Sequence, residues 1–326
     1  MNGMAHRPTK SRVEISAVVC TYNRAGHLNT ALESLVRQTL DPSCYEILVV
    51  DNCSTDGTQQ LVNDVIGSYH GYMRYVREEQ QGLSFARNRA IKEARGDILS
   101  FLDDDATANP DWLKTIRFCF TRVSPRPAVV GGPVRLKFEL SPPSWDLDEL
   151  ETLLLFSGMD YGKQPRWMSE REGAVGANVA YDRVILLREG LQFSTDLGRM
   201  GRGLLGGEEG ELLRLLRERG YDAYYHPDAW VWHLVLKERV SSDYALKRFY
   251  WVGRTHAIRW YLKNTPNVRS ICRRIWTSGS HLGWLFAKRT VGARSLARSC
   301  WRTYWTGMTV ELCRILVTHT CNRMRG

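Results

Sequence analysis

The chain has 326 residues, 43% of them hydrophobic and 25% charged, with a formal net charge of +10. That length can bury a full core in one large domain or two smaller ones, and that composition excludes a disordered or low-complexity chain. No run reaches the ~18 uninterrupted apolar residues of a simple membrane span, and residues 1–12 are polar and basic with no apolar segment behind them, unlike a secretory signal.

The eight Cys are scattered without a C-x-x-C pair, which suits free thiols in a reducing, cytoplasmic setting. Charge is unevenly spread. Residues 236–326 hold 18 Lys/Arg against 3 Asp/Glu, whereas the first 235 lean acidic. The expected division is a flexible tail over 1–12, an α/β domain over 13–235, and a basic, aromatic-rich helical region over 236–326.

In chain order, Val13 to Cys20 reads as a β-branched strand ending in Thr21-Tyr22-Asn23-Arg24. Leu28, Leu32 and Leu35 give the stretch to Gln38 helical spacing, with Asn23 or Asn29 available near its start. Tyr45 to Val50 is a second strand. It ends in Asp51 and the turn-rich Asn52-Cys53-Ser54-Thr55-Asp56-Gly57, and a helix over 58–66 follows. Asp51 there suits a nucleotide base or ribose, or a helix cap. Met73 to Arg77 is a third strand, and a helix running to Ala94 opens within Gln81–Asn88. Gly82 permits a tight turn and Ser84 can cap the helix. Arg87 then lies one turn inside, within reach of a phosphate or an acidic strand end. Strands and helices alternating at this spacing imply βαβ units and a parallel sheet.

Ile98 to Leu102 is a short, buried-type strand followed at once by Asp103-Asp104-Asp105. In open α/β sheets ligands sit beyond the carboxyl ends of the strands. Adjacent carboxylates repel unless a cation relieves them, and in extended chain Asp103 and Asp105 face the same side. A solvated acidic turn, with Asp105 or Asn109 capping the next helix, is the plain alternative. Asn109-Pro110-Asp111-Trp112 opens that helix, and Ala128 to Val134 reads as a strand broken by Gly131-Gly132. Glu139 to Arg171, with Pro142-Pro143 and weak periodicity, reads as a long variable loop of the kind that often serves function. Gly173 to Tyr181 is a small-residue strand. Gly206-Gly207-Glu208-Glu209-Gly210 opens a helix that runs to Gly220, and its two Glu suit either the helix dipole or chemistry. Tyr221 to Val231 is the last strand pattern, with Trp232-His233 after it.

Taken in order, Cys20-Thr21-Tyr22-Asn23-Arg24, Asp51 with its Ser-Thr-Asp-Gly loop, Gly82 through Asn88, and the Asp103–Asp105 pair resemble the family 2 glycosyltransferases. The resemblance covers about two-thirds of the chain. It implies a GT-A fold, a Rossmann-related, mixed but mostly parallel sheet flanked by helices, here with a C-terminal basic helical extension. The activity implied is inverting transfer of a sugar from a nucleoside-diphosphate sugar, a UDP-sugar first among them, to an acceptor hydroxyl. A glycan or lipid-linked acceptor in polysaccharide or cell-envelope glycan synthesis fits.

Carried onto this chain, the resemblance assigns the nucleotide to Thr21, Tyr22, Asn23, Arg24 and Asp51, with Gly82, Arg87 and Asn88 in support. Asp103, Asp104 and Asn178 join the donor site, Asn178 beneath the donor sugar. Asp103 and Asp105, with His233, are the ligands for Mg2+ or Mn2+. The family usually carries Glu-Asp at the glycine-rich helix start, with the Asp as general base; here Glu209 falls at that position and Glu208 is the fallback. Two other classes stay open, a metal-dependent nucleotidyltransferase and a non-catalytic protein bound to membrane or nucleic acid.

The basic tail has three readings. It is a helical cap on the catalytic domain, a peripheral surface for anionic membrane, or a nucleic-acid surface. No recognised nucleic-acid motif supports the third. The expected location is cytoplasmic, with attachment to the cytoplasmic face of a membrane under the second.

Overall fold

The computed structural model of the chain describes residues 13–145, 147–201, 203–287 and 296–325, so the expected tail over 1–12 lies outside them. The elements, in order, are β1 (Ile15–Thr21), α1 (Ala25–Val36), β2 (Tyr45–Asp51), α2 (Thr58–Ser68), β3 (Tyr72–Arg77), α3 (Leu83–Glu93), β4 (Ile98–Leu102) and β5 (Ala106–Ala108). Then come α4 (Trp112–Arg122), β6 (Val129–Gly131), β7 (Val134–Phe138), α5 (Glu149–Phe156), β8 (Arg166–Trp167), β9 (Asn178–Asp182) and α6 (Arg183–Arg188). The chain closes with α7 (Glu208–Arg217), β10 (Ala223–Tyr225), β11 (Val231–Val235), α8 (Ser242–Asn264), α9 (Val268–Ala287) and α10 (Leu296–Arg325).

The main sheet has the order β3-β2-β1-β4-β9-β6-β10-β8. Strands β3, β2, β1 and β4 are parallel, as their helical crossovers require, and β9 enters antiparallel between β4 and β6. In register, Thr21 pairs with Asp51, so both expected nucleotide strands end level with each other. Side-chain alternation builds the two faces. Ile15, Ala17 and Val19 of β1 pack under α1 and α4 with Leu28, Leu32, Leu35, Trp112 and Ile116. Val18, Leu48, Val50, Leu99 and Phe101 pack on the other face with Ala86, Ala90, Leu212 and Leu216 of α3 and α7.

A smaller sheet, β5-β11-β7, stands beside the acidic end of β4. The strand interrupted at Gly131-Gly132 therefore serves two sheets, β6 in one and β7 in the other. Three local expectations are corrected. His233 lies inside β11, whose core-facing positions continue past Val231 to Val235, rather than after the last strand. Ser84 does not cap α3; Gly82 holds the cap position, and the Ser84 hydroxyl donates to the Leu197 carbonyl at 2.7 Å. The 139–171 stretch contains α5, whose start is held by a capping box: Asp148 accepts from the Glu151 N–H at 2.7 Å and Glu151 accepts from the Asp148 N–H at 3.1 Å.

A third core joins both sides of residue 235. Leu155, Phe156 and Val235 pack with Ala245, Phe249 and Val252 of α8 and with Cys300, Tyr304 and Met308 of α10. Helices α8 and α10 touch backbone to backbone. A Cβ on Gly253 would lie 1.9 Å from the Tyr304 carbonyl oxygen, and one on Gly307 would lie 2.0 Å from that of Tyr250. Among the described residues no helix is long and apolar enough to cross a membrane.

Candidate active site

Four chain segments converge beyond the carboxyl ends of β1 and β4. The Thr21 hydroxyl donates to Asp104 Oδ2 at 2.8 Å, which ties the end of β1 to the acidic turn. Asp105 folds back under that turn. Its Oδ2 accepts from Arg239 at 2.8 Å and Arg24 at 3.5 Å, and its Oδ1 lies 3.2 Å from His233 Nε2. Burial pushes the Asp105 carboxyl up, but His233, Arg239 and Arg24 together pull it well below the usual carboxylate range. Burial and the neighbouring Asp105 raise Asp103, and they raise Asp104 to about 7.

The residues fit a divalent cation. His233 Nδ1 sits 3.0 Å from the Phe156 carbonyl, a pure acceptor, so Nδ1 carries a proton. Nε2, 3.2 Å from Asp105 Oδ1, is then the ring nitrogen that would meet a cation, giving up its proton to do so. Ligand atoms of Asp103, Asp105 and His233 all lie within 4.8 Å of one another. Two carboxylates and one imidazole suit Mn2+ or Mg2+, and a cation among them removes the repulsion that raises Asp103.

A second cluster lies on the other side of Asp103. Arg87 of α3 is fully buried, with its guanidinium packed near the rings of Phe101 and Phe193. Its Nη1 donates to Glu208 Oε1 at 2.7 Å and to Glu209 Oε1 at 2.8 Å, and its Nη2 lies 3.8 Å from Asp103 Oδ1. Glu208 is 2% exposed and Glu209 16%. Burial, then the Glu209 charge, push Glu208 up to about 7, and its second oxygen has no hydrogen-bond partner among the described residues. Gly176 closes against this cluster. A Cβ there would fall 1.9 Å from Glu209 Oε1 and 2.3 Å from Arg87 Nη2.

Two cavities meet at this point. The smaller, about 190 Å3, is lined by Thr21, Tyr22, Arg24, Asn52, the Asp103–Asp105 turn, His233 and Arg239. The larger, about 870 Å3, runs past Glu208, Glu209 and Gly173–Ala177 to α8. Leu83, Asp103, Ser157 and Arg199 line both.

The structure thus brings Thr21, Tyr22, Arg24, Asp103, Asp104, Asp105 and His233 to one cavity, and Arg87, Glu208 and Glu209 to the other. The remaining expected residues line neither cavity. Asp51 is fully buried, accepting from the Ser54 N–H at 2.8 Å and the Tyr75 hydroxyl at 2.6 Å. Asn23 bridges to the loop after β2 through Ser54 and Thr55. The Gly82 N–H donates to Asn52 at 2.6 Å, and Asn88 brackets Phe193 through its carbonyl and N–H. Asn178 is 1% exposed; it accepts from the Trp112 indole and donates to the Pro133 and Ala229 carbonyls. Sequence reasoning missed Asn52, Ser157, Arg199 and Arg239. Only Asn52, next to Asp51 at a strand end, carried a local signal.

Comparison with known proteins agrees with this geometry. The signature described as Glycosyl transferase family 2 matches residues 16–134. The chain is 27% identical over 247 residues to the glucosyl-dolichyl phosphate glucuronosyltransferase of Haloferax volcanii, covering 74% of this chain and 75% of that protein. It is 28% identical over 246 residues to the succinoglycan biosynthesis protein ExoM of Rhizobium meliloti, covering 75% and 74%. Among solved structures, the fold matches mannosyltransferase PcManGT of Pyrobaculum calidifontis, in complex with GDP-Man and Mn2+, at a TM-score of 0.61 and 19% identity over 93% of this chain and 87% of that one. It also matches S. aureus TarS 1-349 in complex with UDP-GlcNAc at a TM-score of 0.54 and 20% identity, over 76% of this chain and 66% of that one. The expected GT-A fold is the one observed.

Proposed function

The chain belongs to glycosyl transferase family 2, and on that premise we propose that it moves a sugar, with inversion, from a UDP-sugar to a hydroxyl of a glycan or lipid-linked acceptor in polysaccharide or cell-envelope glycan synthesis. The observation that carries this reading is the junction at Asp103, where a polar, acid-floored cavity opens into a larger cleft beside two glutamates. A nucleotide outgrows 190 Å3 on its own, so the donor's sugar end extends past Asp103 into the larger cleft.

Thr21, Tyr22, Arg24 and Asn52 surround the nucleoside end, and Asp103, Asp105 and His233 would hold Mg2+ or Mn2+. When bound, the cation supplies neutralisation of the charge that builds on the departing diphosphate. Glu209, the more exposed of the two glutamates, takes the proton from the acceptor hydroxyl as it attacks the anomeric carbon. A positioned base of this kind contributes roughly 10²–10⁴-fold. Arg87 orients Glu209 and also grips Glu208, which at 2% exposure offers an acceptor less access than Glu209 at 16%. Peripheral attachment to an anionic membrane is supported by α9. Arg269, Arg273 and Trp276 share one exposed face there, with Trp276 74% exposed.

The test is product analysis with UDP-sugars and membrane extracts as the acceptor source. Release of UDP that Glu209→Gln cuts at least a hundredfold is the expected result. Pyrophosphate as product, or full turnover by Glu209→Gln with loss only in Glu208→Gln, would overturn the assignment.

A further inference from the structure

One side of the larger cleft carries a line of cations that no ion pair holds. Among the described residues, Arg199, Arg248, Arg259 and Lys263 all line it and none forms an ion pair. Of the carboxylates that line the cleft, Glu172 pairs with Arg166 and Glu218 with Arg214, and Glu208, Glu209 and Asp103 share Arg87; among the described residues none of them, nor Asp160 or Glu170, lies within ion-pair distance of these four cations. Arg248 donates to the Leu204 carbonyl at 3.1 Å and reaches Ser157 Oγ at 3.4 Å, yet its buried Nε has no partner among the described residues. Burial and then Arg199 push that guanidinium down to about 10, still cationic at neutral pH.

The arrangement is linear. Arg248, Arg259 and Lys263 lie on α8, and an interval of eleven residues is close to three helical turns, so they share one face over about 22 Å. Arg259 lies over the first turn of α7, where glycines make room. A Cβ on Gly210 would meet its Nη2 at 3.0 Å, and one on Gly207 its Cδ at 3.1 Å. A cation beside a helix N-terminus and two arginines side by side both raise the energy of the empty cleft. An anion relieves both at once.

We propose that this stripe is a subsite for a phosphate group carried by the acceptor, with Arg199, Arg248, Arg259 and Lys263 holding the phosphate while the acceptor hydroxyl faces Glu209. The acceptor class is then a phosphorylated molecule, either a lipid-linked sugar phosphate or a phosphorylated glycan. The inference rests on reading the larger cleft as the acceptor side.

The experiment is calorimetric titration of the full chain with farnesyl phosphate, inorganic phosphate and farnesol, each with UDP and Mn2+ present to fill the donor cavity. Wild type is compared with the Arg259→Gln/Lys263→Gln double variant and with Arg259→Lys. Farnesyl phosphate is expected to bind wild type, to bind the double variant at least tenfold more weakly, and to be largely restored in Arg259→Lys, while UDP affinity changes less than twofold. Farnesyl phosphate binding much more tightly than inorganic phosphate supports a lipid-linked acceptor; equal binding supports a phosphorylated glycan. The proposal is overturned if neither phosphate binds, if the double variant binds them as wild type does, or if farnesol binds as well as farnesyl phosphate. Failure of wild type to bind UDP would instead strike the donor assignment, and the double-variant comparison would still read the phosphate subsite.

Discussion

Replacing Gly176 by alanine adds one methyl at the most crowded point of the catalytic cluster. The new Cβ would stand 1.9 Å from Glu209 Oε1 and 2.3 Å from Arg87 Nη2. Ordinary contact begins near 3.4 Å, so the Glu209 oxygen has to retreat by about 1.5 Å. Arg87 cannot absorb the change, because it is fully buried, packed near Phe101 and Phe193 and shared with Glu208. The backbone at Gly176 is not left-handed, so alanine brings no conformational strain there. The 2.3 Å approach to the fixed Arg87 has to be met by a backbone shift at 176, so the cost falls on folding as well as on the position of the base. A misplacement of about 1 Å at a reacting group costs on the order of 10²-fold. Steady-state assays with the proposed UDP-sugar donor should show kcat down about a hundredfold, with UDP affinity near wild type and stability lowered by about 1–3 kcal/mol, a drop of a few degrees in melting temperature. Unchanged kcat in Gly176→Ala would refute the argument that Glu209 acts from the observed position.

Three other perturbations probe separate parts of the account. The folded chain holds a proton on Glu208 up to about pH 7, whereas a free carboxyl sheds it near 4.5, so Glu208 makes stability fall as pH rises between those values. Glu208→Gln should lose that slope, and calorimetric melting profiles that stay parallel to wild type from pH 4.5 to 7.5 would contradict it. His233→Ala should raise the Mn2+ concentration for half-maximal turnover at least tenfold, since the ring holds Nε2 beside Asp105; an unchanged metal requirement removes His233 from the ligand set. Gly307→Val forces α10 away from the Tyr250 carbonyl and should cost about 1–3 kcal/mol, a drop of several degrees in Tm. A Tm equal to wild type would mean that the two helices do not meet as described.

What the sequence disclosed, and what it hid, follows from how far each signal reaches along the chain. The Ile98–Asp105 stretch is legible because an apolar strand and its acidic end are contiguous, and the βαβ rhythm before it sets the parallel half of the sheet. Glu208 and Glu209 are legible through the glycines that open α7. Arg239, Arg199 and Ser157 are not, because their relation to Asp103 or Asp105 exists only once β11, α5 and the loop before α7 have come together. Asn178 and Asp51 show the opposite failure. Each stands at a motif position, but its side chain turns into the protein and satisfies backbone and side-chain donors there. The short α5 was hidden by the weak periodicity of its neighbours, although the Asp148/Glu151 pair was a readable start signal.

The central claim is a metal-dependent nucleotide-diphosphate site at the acidic end of β4, and calorimetric titration of UDP and GDP with and without Mn2+ tests it most directly. The account predicts that one of the two binds with Mn2+ present, at least tenfold more weakly without it, and that Asp103→Asn abolishes the difference. Absence of binding by either nucleotide to the folded chain, or equal binding with and without the metal, would contradict it.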